Sequence, residues 1–206
     1  MKGIKVILLL IILALSGTEK IYAQEDTALN SALEKMVKAN LTQNAAELIK
    51  YTSPRLVKAM GGKEKAIKLL KQSFSTQTTD IAKLDSVINY NKLNVAKLGS
   101  INYKFIPQII IMRMPGKDNM VIGITNLMAI KENASSAWKF MDINDFDEAK
   151  LNYLLPEFKN KISFPKKLAE KPLVIPKEEL QPSLQMLLNA LDGALNKASA
   201  EQETIQ

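Results

Sequence analysis

The sequence predicts an α+β protein, in which N-terminal helices pack on one face of a curved antiparallel sheet of about four strands, followed by a C-terminal amphipathic helix. Apolar residues recur every three or four positions up to about Gln77, and roughly every second position between Ile81 and Asp142. Helices that precede strands joined by short turns are typical of α+β proteins. The 206 residues are 47% hydrophobic and 24% charged, which is an ordinary globular composition.

The N-terminus has the pattern of an export signal. Lys2 and Lys5 precede an apolar run over residues 6–15, and Ala23 suits the position before a cleaved bond. Such a run covers only about half of a ~30 Å hydrocarbon core, so cleavage is favoured over a membrane anchor. We predict a signal peptide at residues 1–23 and a periplasmic or secreted protein of a Gram-negative bacterium. After cleavage it is expected to be soluble, without stable membrane insertion.

The next segment predicts three helices separated by recognisable breaks. Polar residues at 40–44 end the first helix, and Pro54 restarts the second because proline is tolerated in a first helical turn. Gly61 and Gly62 can end a helix with positive φ angles. A third helix then buries Ile67 and Phe74.

The period of about two that follows predicts an antiparallel meander. The clearest strand is rich in Ile, Tyr and Phe, and it is joined by the turn at residues 115–119 to its partner strand. The predicted strands are Leu84–Tyr90, Leu93–Leu98, Asn102–Met114, Met120–Lys131 and Ala137–Ile143.

The C-terminal third predicts a closing helix, a linker and a tail. A short helix at Asp145–Leu155 completes a compact domain over residues 24–165, and residues 166–177 contain four lysines and two prolines, as a linker does. Residues 178–206 predict a helical tail with one apolar stripe, formed by Leu184, Leu187, Leu188, Leu191 and Leu195. The stripe is a candidate interaction surface, and it should bury against its own domain or against a second chain in a homodimer.

Three motifs in this order resemble the nuclear transport factor two-like superfamily, whose members adopt a cystatin-like α+β cone. They are Tyr51-Thr52-Ser53-Pro54, the stretch Met60-Gly61-Gly62-Lys63-Glu64-Lys65 and the strand Ser136-Ala137-Trp138-Lys139-Phe140-Met141-Asp142. The chain also looks similar to small exported Gram-negative proteins of unassigned activity. The resemblance covers about residues 26–165. It implies a pocket between helices and sheet, in which enzymatic members place an Asp or an Asp-His pair and tyrosines.

Composition excludes several classes of function. The chain has neither histidine nor cysteine, which excludes disulfides, thiol nucleophiles, Cys/His zinc sites and Ser-His-Asp triads. Its net charge of +7 comes almost entirely from dispersed lysines, with Arg55 and Arg113 the only arginines. Nucleic-acid readers depend more on arginine, so no nucleic-acid partner is expected. We expect no cofactor and no metal, because the carboxylates at residues 142–148 lack the spacing of a calcium loop.

The candidate site residues follow from the resemblance and from the strand pattern. Asp142 could act as a carboxylate base in an apolar pocket, with Tyr51, Tyr90 or Tyr103 as proton donor; it could equally be a strand-end acid. Arg113 either faces solvent or holds an anion or a buried carboxylate, and solvent is favoured because Arg113 lies next to a turn. The candidate pocket-lining residues are Tyr51, Tyr103, Phe105, Arg113, Trp138 and Phe140.

The sequence favours an exported, non-catalytic module that binds an unknown small molecule or protein partner. The alternative is a small-molecule isomerase, cyclase or hydrolase that uses a pocket carboxylate. A third hypothesis is salt-sensitive binding of anionic envelope polymers through lysine.

Overall fold

The computed structural model describes residues 27–76, 82–133 and 136–203, and it gives their side chains except at residues 76 and 195–203. The predicted signal peptide lies outside the described residues.

The N-terminal helices follow the order that the sequence predicts, and the second predicted helix is divided at Ser53-Pro54 into two. They are α1 at residues 27–41, α2 at Ala45–Tyr51, α3 at Pro54–Ala59 and α4 at Lys63–Thr76. Asn44 caps α2, since its side-chain oxygen accepts the Glu47 N–H at 3.1 Å. Gly61 and Gly62 have φ values of +91° and +95°, and this left-handed turn separates α3 from α4.

A long hairpin forms the centre of a curled antiparallel sheet, as predicted. The strands are β1 at Lys83–Asn89, β2 at Ala96–Leu98, β3 at Ile101–Arg113, β4 at Asn119–Lys131, β5 at Lys139–Asp142 and β6 at Leu173–Pro176. β3 and β4 pair along their whole length, β1 and β2 share the free side of β3, and β5 and β6 share the free side of β4. The sheet is therefore four strands wide at both ends, and the α+β prediction is confirmed.

The last strand differs from the linker expected at residues 166–177. β6 pairs with the start of β4, from Asn119 opposite Pro176 to Ile122 opposite Leu173. Its residues are apolar and partly β-branched, which suits a strand, and prolines are tolerated at a sheet edge. Residues 173–176 of the expected linker are thus part of the sheet.

The two faces of the sheet carry different layers of helix. Because side chains alternate along a strand, Ile106 and Ile109 of β3 lie on opposite faces. We call the Ile106 side the front face; it packs with Leu29 and Leu33 of α1. The Ile109 side is the back face, and C-terminal elements cover it. Helix α1 thus covers the front face and the C-terminal helices cover the back face, while Leu56 of α3 packs against the back-face cluster.

Two C-terminal layers share the back face. One contains α5 at Glu148–Leu154 and a short 3₁₀ turn at Pro156–Phe158. Asp147 caps α5 by accepting the Lys150 N–H at 2.7 Å. The other layer is α6 at Leu180–Glu203, which follows a 3₁₀ turn at Lys177–Glu179.

The tail helix α6 packs on the sheet of its own chain. Leu184 and Leu191 are 7% and 5% exposed in a cluster with back-face residues, and Leu187 and Leu188 pack at its margin. The Tyr90 hydroxyl donates to Asp192, which also pairs with the Lys92 ammonium at 2.7 Å. The side chain of Leu195 lies outside the described part. The stripe is thus covered within one chain, at least from Leu184 to Leu191.

Candidate functional site

The predicted pocket-lining residues divide between the two faces of the sheet. Tyr51, Trp138 and Phe140 belong to the front-face cluster, whereas Tyr103 and Phe105 belong to the back-face cluster. The ring of Tyr103 meets Phe105 and Phe158 edge to face, with centroids 5.8 and 5.2 Å apart. The sheet therefore separates residues that the sequence predicts to line one pocket.

Arg113 lies at the end of β3 and is exposed, which confirms the expected solvent position. Its guanidinium donates to the Asp85 carboxylate of β1 at 2.7 Å. This ion pair joins neighbouring strands, and at an exposed site it contributes only about 0–1 kcal/mol to stability.

Asp142 has the geometry of a strand-end acid. It is exposed, and its Oδ1 accepts the Thr125 hydroxyl at 2.7 Å and the Asn144 N–H at 2.9 Å. A carboxylate that bonds the N–H two residues later stabilises a turn. Asp142 is therefore an exposed residue at the end of a strand and does not lie in an apolar pocket.

The tyrosines considered as donors have partners or apolar neighbours of their own. Burial raises the pKa of Tyr51, whose hydroxyl lies 3.3 Å from Glu47 on the next helical turn. Burial likewise raises the pKa of Tyr103, which lies among aromatic rings on the back face. Tyr90 holds α6 through Asp192. None of the three forms a hydrogen bond with Asp142 among the described residues.

A half-enclosed cleft of about 460 Å³ opens between α5 and the segment 160–167; we call it the α5 cleft. Its size falls in the range of small-molecule sites. Three phenylalanines, Phe146, Phe158 and Phe164, form an aromatic floor. The other lining residues are Ile143, Asn144, Glu148, Leu151, Asn152, Asn160, Ile162, Ser163, Pro165, Lys166 and Lys167.

Contacts with the sheet and with α5 position this cleft. The Asn126 amide of β4 donates to the Lys166 carbonyl at 3.1 Å and so ties the segment 160–167 to the sheet. At the mouth, Lys167 pairs with Asp145 at 3.1 Å. Lys150 lies 4.0 Å from the centroid of the Phe146 ring, a cation–π contact that orients this part of the floor.

One residue lining the α5 cleft carries a polar atom without a partner. The Asn144 side-chain oxygen is buried beneath the surface and accepts no hydrogen bond from the described residues. A buried acceptor without a partner costs about 1–3 kcal/mol. The aromatic floor and the asparagines that line the cleft suit a molecule with an apolar body and a few polar groups.

Sequence reasoning missed these residues, although a signal was present. Three asparagines, Asn144, Asn152 and Asn160, occur at intervals of eight residues, and residues 144–164 also contain three phenylalanines. Their convergence depends on how α5 and the following segment dock on the sheet, which no local pattern contains.

The carboxylates at residues 142–148 do not come together as a metal site in the described part of the chain. Asp142, Asp145, Asp147 and Glu148 do not form a group of three or more suitable ligands there. In 27–76, 82–133 and 136–203, moreover, no helix combines the length and the apolar character that crossing a bilayer requires. No protein-family model matches this chain, and no curated protein matches it either.

Proposed function

We propose that the protein is an exported, non-catalytic binding module whose ligand is a small molecule held in the α5 cleft. The observation that carries the proposal is the half-enclosed cleft of about 460 Å³ with its aromatic floor. Such a site suits a ligand with a ring or another apolar body against the phenylalanines and polar groups beside Asn152 and Asn160.

Export is part of the proposal and rests on the charged, apolar and small-residue order of residues 1–23. Membership of the nuclear transport factor two-like superfamily is also proposed. Helices followed by a curled antiparallel sheet support it. The absence of histidine from the whole sequence excludes Asp-His chemistry and so favours binding over catalysis.

The first test is native mass spectrometry of mature protein purified from its own source. A bound small molecule retained at one per chain is the expected result. If the purified protein carries no ligand, ligand-observed NMR with benzyl alcohol, benzamide and benzylamine tests the cleft directly. An empty protein that binds none of these probes contradicts the proposal.

A matched pair of variants locates the ligand. Asn152 lines the cleft from α5, and Asn152→Trp should fill it and abolish binding. Tyr153 is the next residue of the same helix and is 77% exposed, so Tyr153→Trp should leave binding unchanged. Equal binding by both variants would place the ligand elsewhere.

A further inference from the structure

A second concavity, of about 410 Å³, lies among α2, α3, the start of α4 and β5. It shares no lining residue with the α5 cleft. Three apolar side chains line it, the buried Ile49, the half-buried Val57 and the exposed Pro54, and we call them its floor. We call it the lysine cup, because its remaining lining residues are Lys50, Thr52, Lys58, Gly62, Lys63 and Lys139.

Local backbone contacts hold this cup in shape. The Ser53 N–H donates to the Phe140 carbonyl at 2.8 Å, which places β5 alongside the junction of α2 and α3. The Gly62 N–H donates to the Val57 carbonyl at 3.0 Å, which closes the turn before α4. The four lysines therefore come from four separate elements or turns, and only the docked helices bring them together.

All the charged side chains that line the cup are lysines. Lys50 is paired with Glu47 at 2.6 Å, and the Lys139 ammonium donates to the Lys50 carbonyl at 2.5 Å. Lys58 and Lys63 are exposed and form no ion pair within the described ranges. No carboxylate lines the cup, since nearby Glu64 lines a different groove on α4.

The four lysines of the cup, which we call its rim, lie beside an apolar floor. This combination selects ligands that have one apolar end and one anionic end. A small inorganic anion would find no hydrogen-bond donor on the floor, and burying its charge there would be costly. A neutral apolar molecule would gain nothing from the rim. A molecule with a hydrocarbon chain and one negative group matches both parts, through burial of the chain and attraction to the lysines.

We propose that the lysine cup binds a single-chain anionic amphiphile, with its carboxylate at Lys58 and Lys63 and its chain along the floor. The site is separate from the α5 cleft, so it is independent of the function proposed above. A Lys–carboxylate contact at an exposed rim is weak by itself, and the floor adds the apolar contribution.

The test titrates dodecanoate, below its critical micelle concentration, into the folded mature protein and follows heat by calorimetry. We expect saturable binding of one molecule per chain. The double variant Lys58→Gln/Lys63→Gln should bind about tenfold more weakly, given the usual size of two exposed ion pairs. The matched control is Lys68→Gln/Lys71→Gln, which removes two exposed lysines from the other groove of α4 and should change affinity less than about twofold.

Three further results bear on the proposal. Dodecyl maltoside has the same chain without the charge and should bind much more weakly; equal binding would overturn the role of the rim. An equal loss in the two double variants would show that total charge, not the cup, attracts the probe. Saturation with anionic phosphatidylglycerol vesicles but not with dodecanoate would overturn the proposal in favour of a membrane surface.

The two proposed sites can be tested independently of each other. Asn152→Trp blocks the α5 cleft but should bind dodecanoate normally. If it does not, dodecanoate occupies the α5 cleft, and the lysine cup is not its site. Loss of benzamide binding without loss of dodecanoate binding supports both assignments.

Discussion

Arg55 joins the N-terminal helices to the C-terminal part of the domain through two carboxylates. Its guanidinium lies 2.5 Å from Glu157 and 3.2 Å from Glu132, and it donates to the Leu154 carbonyl at 3.3 Å. Burial acts to raise the pKa of Glu157, but the hydrogen bond and charge of Arg55, with smaller backbone and Lys161 contributions, lower it overall. The folded state thus favours the charged form of Glu157.

This residue-scale arrangement predicts a pH-dependent contribution to stability. Glu157→Gln should lower the free energy of unfolding by about 1–3 kcal/mol at pH 7, the usual effect of losing a hydrogen bond to a charged group. Because the folded pKa is below the unfolded value of about 4.3, the contribution is complete above that value and is lost as pH falls through the folded pKa. Urea unfolding of the two proteins between pH 7 and pH 3 measures this difference.

The control for that series is Glu170→Gln, because Glu170 is exposed and has no ion pair in the described ranges. Its stability should stay within about 0.5 kcal/mol of the wild type at every pH. A gap between wild type and Glu157→Gln that does not narrow in acid would contradict the assigned role of Arg55.

At the scale of elements, the tail helix α6 is a structural layer of the domain. Its stripe covers back-face residues of β3 and β4, such as Ile109 and Ile122, and Asp192 secures it to Tyr90. A 24-residue helix with few charges is marginal alone in water, so this packing supplies most of its stability.

Substitutions on the buried side and on the exposed side of α6 should have very different effects on stability. Leu184→Ala should destabilise the protein by about 2–5 kcal/mol, since Leu184 is only 7% exposed and its loss leaves a cavity. Met186→Ala, at a residue 62% exposed on the same helix, should cost less than about 0.5 kcal/mol. Urea midpoints measure both effects, and they should not depend on protein concentration. A midpoint that rises with concentration would instead indicate packing between two chains.

At the scale of the whole molecule, one hairpin contributes to every layer. Ile106 and Leu127 serve the front-face cluster, while Ile109 and Ile122 serve the back-face cluster from the same two strands. Neither layer of helices can keep its buried face if β3 and β4 separate. We therefore expect cooperative unfolding of the domain.

This expectation can be checked with one local probe on the front face and one signal that includes helices of both faces. Trp138 is the only tryptophan and is 2% exposed in the front-face cluster, whereas helical circular dichroism includes the long α6 of the back face. Their urea midpoints should coincide, and Leu184→Ala should shift both by the same amount. If the Trp138 midpoint stays unchanged while the circular dichroism midpoint moves, the two faces unfold independently.

Local sequence signals were sufficient for the elements but not for the candidate site. Pro54 restricts its own φ angle, whereas Gly61 and Gly62 can adopt positive φ angles. Both effects are local, so these residues mark helix boundaries without contacts to distant residues. The alternation in β3 predicts that Tyr103 and Ile106 have different surroundings. It does not say which helix covers which face, so Tyr51 and Tyr103 were assigned to one pocket although the sheet separates them.

The sequence by itself determined the α+β class, the order of the helices and the central hairpin, and it excluded chemistry that needs histidine or cysteine. These properties depend on residue type and on periods of a few residues. Only the tertiary structure decided that β6 completes the sheet, that α6 covers the back face of its own chain, and that the α5 cleft and the lysine cup exist. Each of these joins residues far apart in the chain, and such contacts depend on packing between elements rather than on the pattern within any one of them.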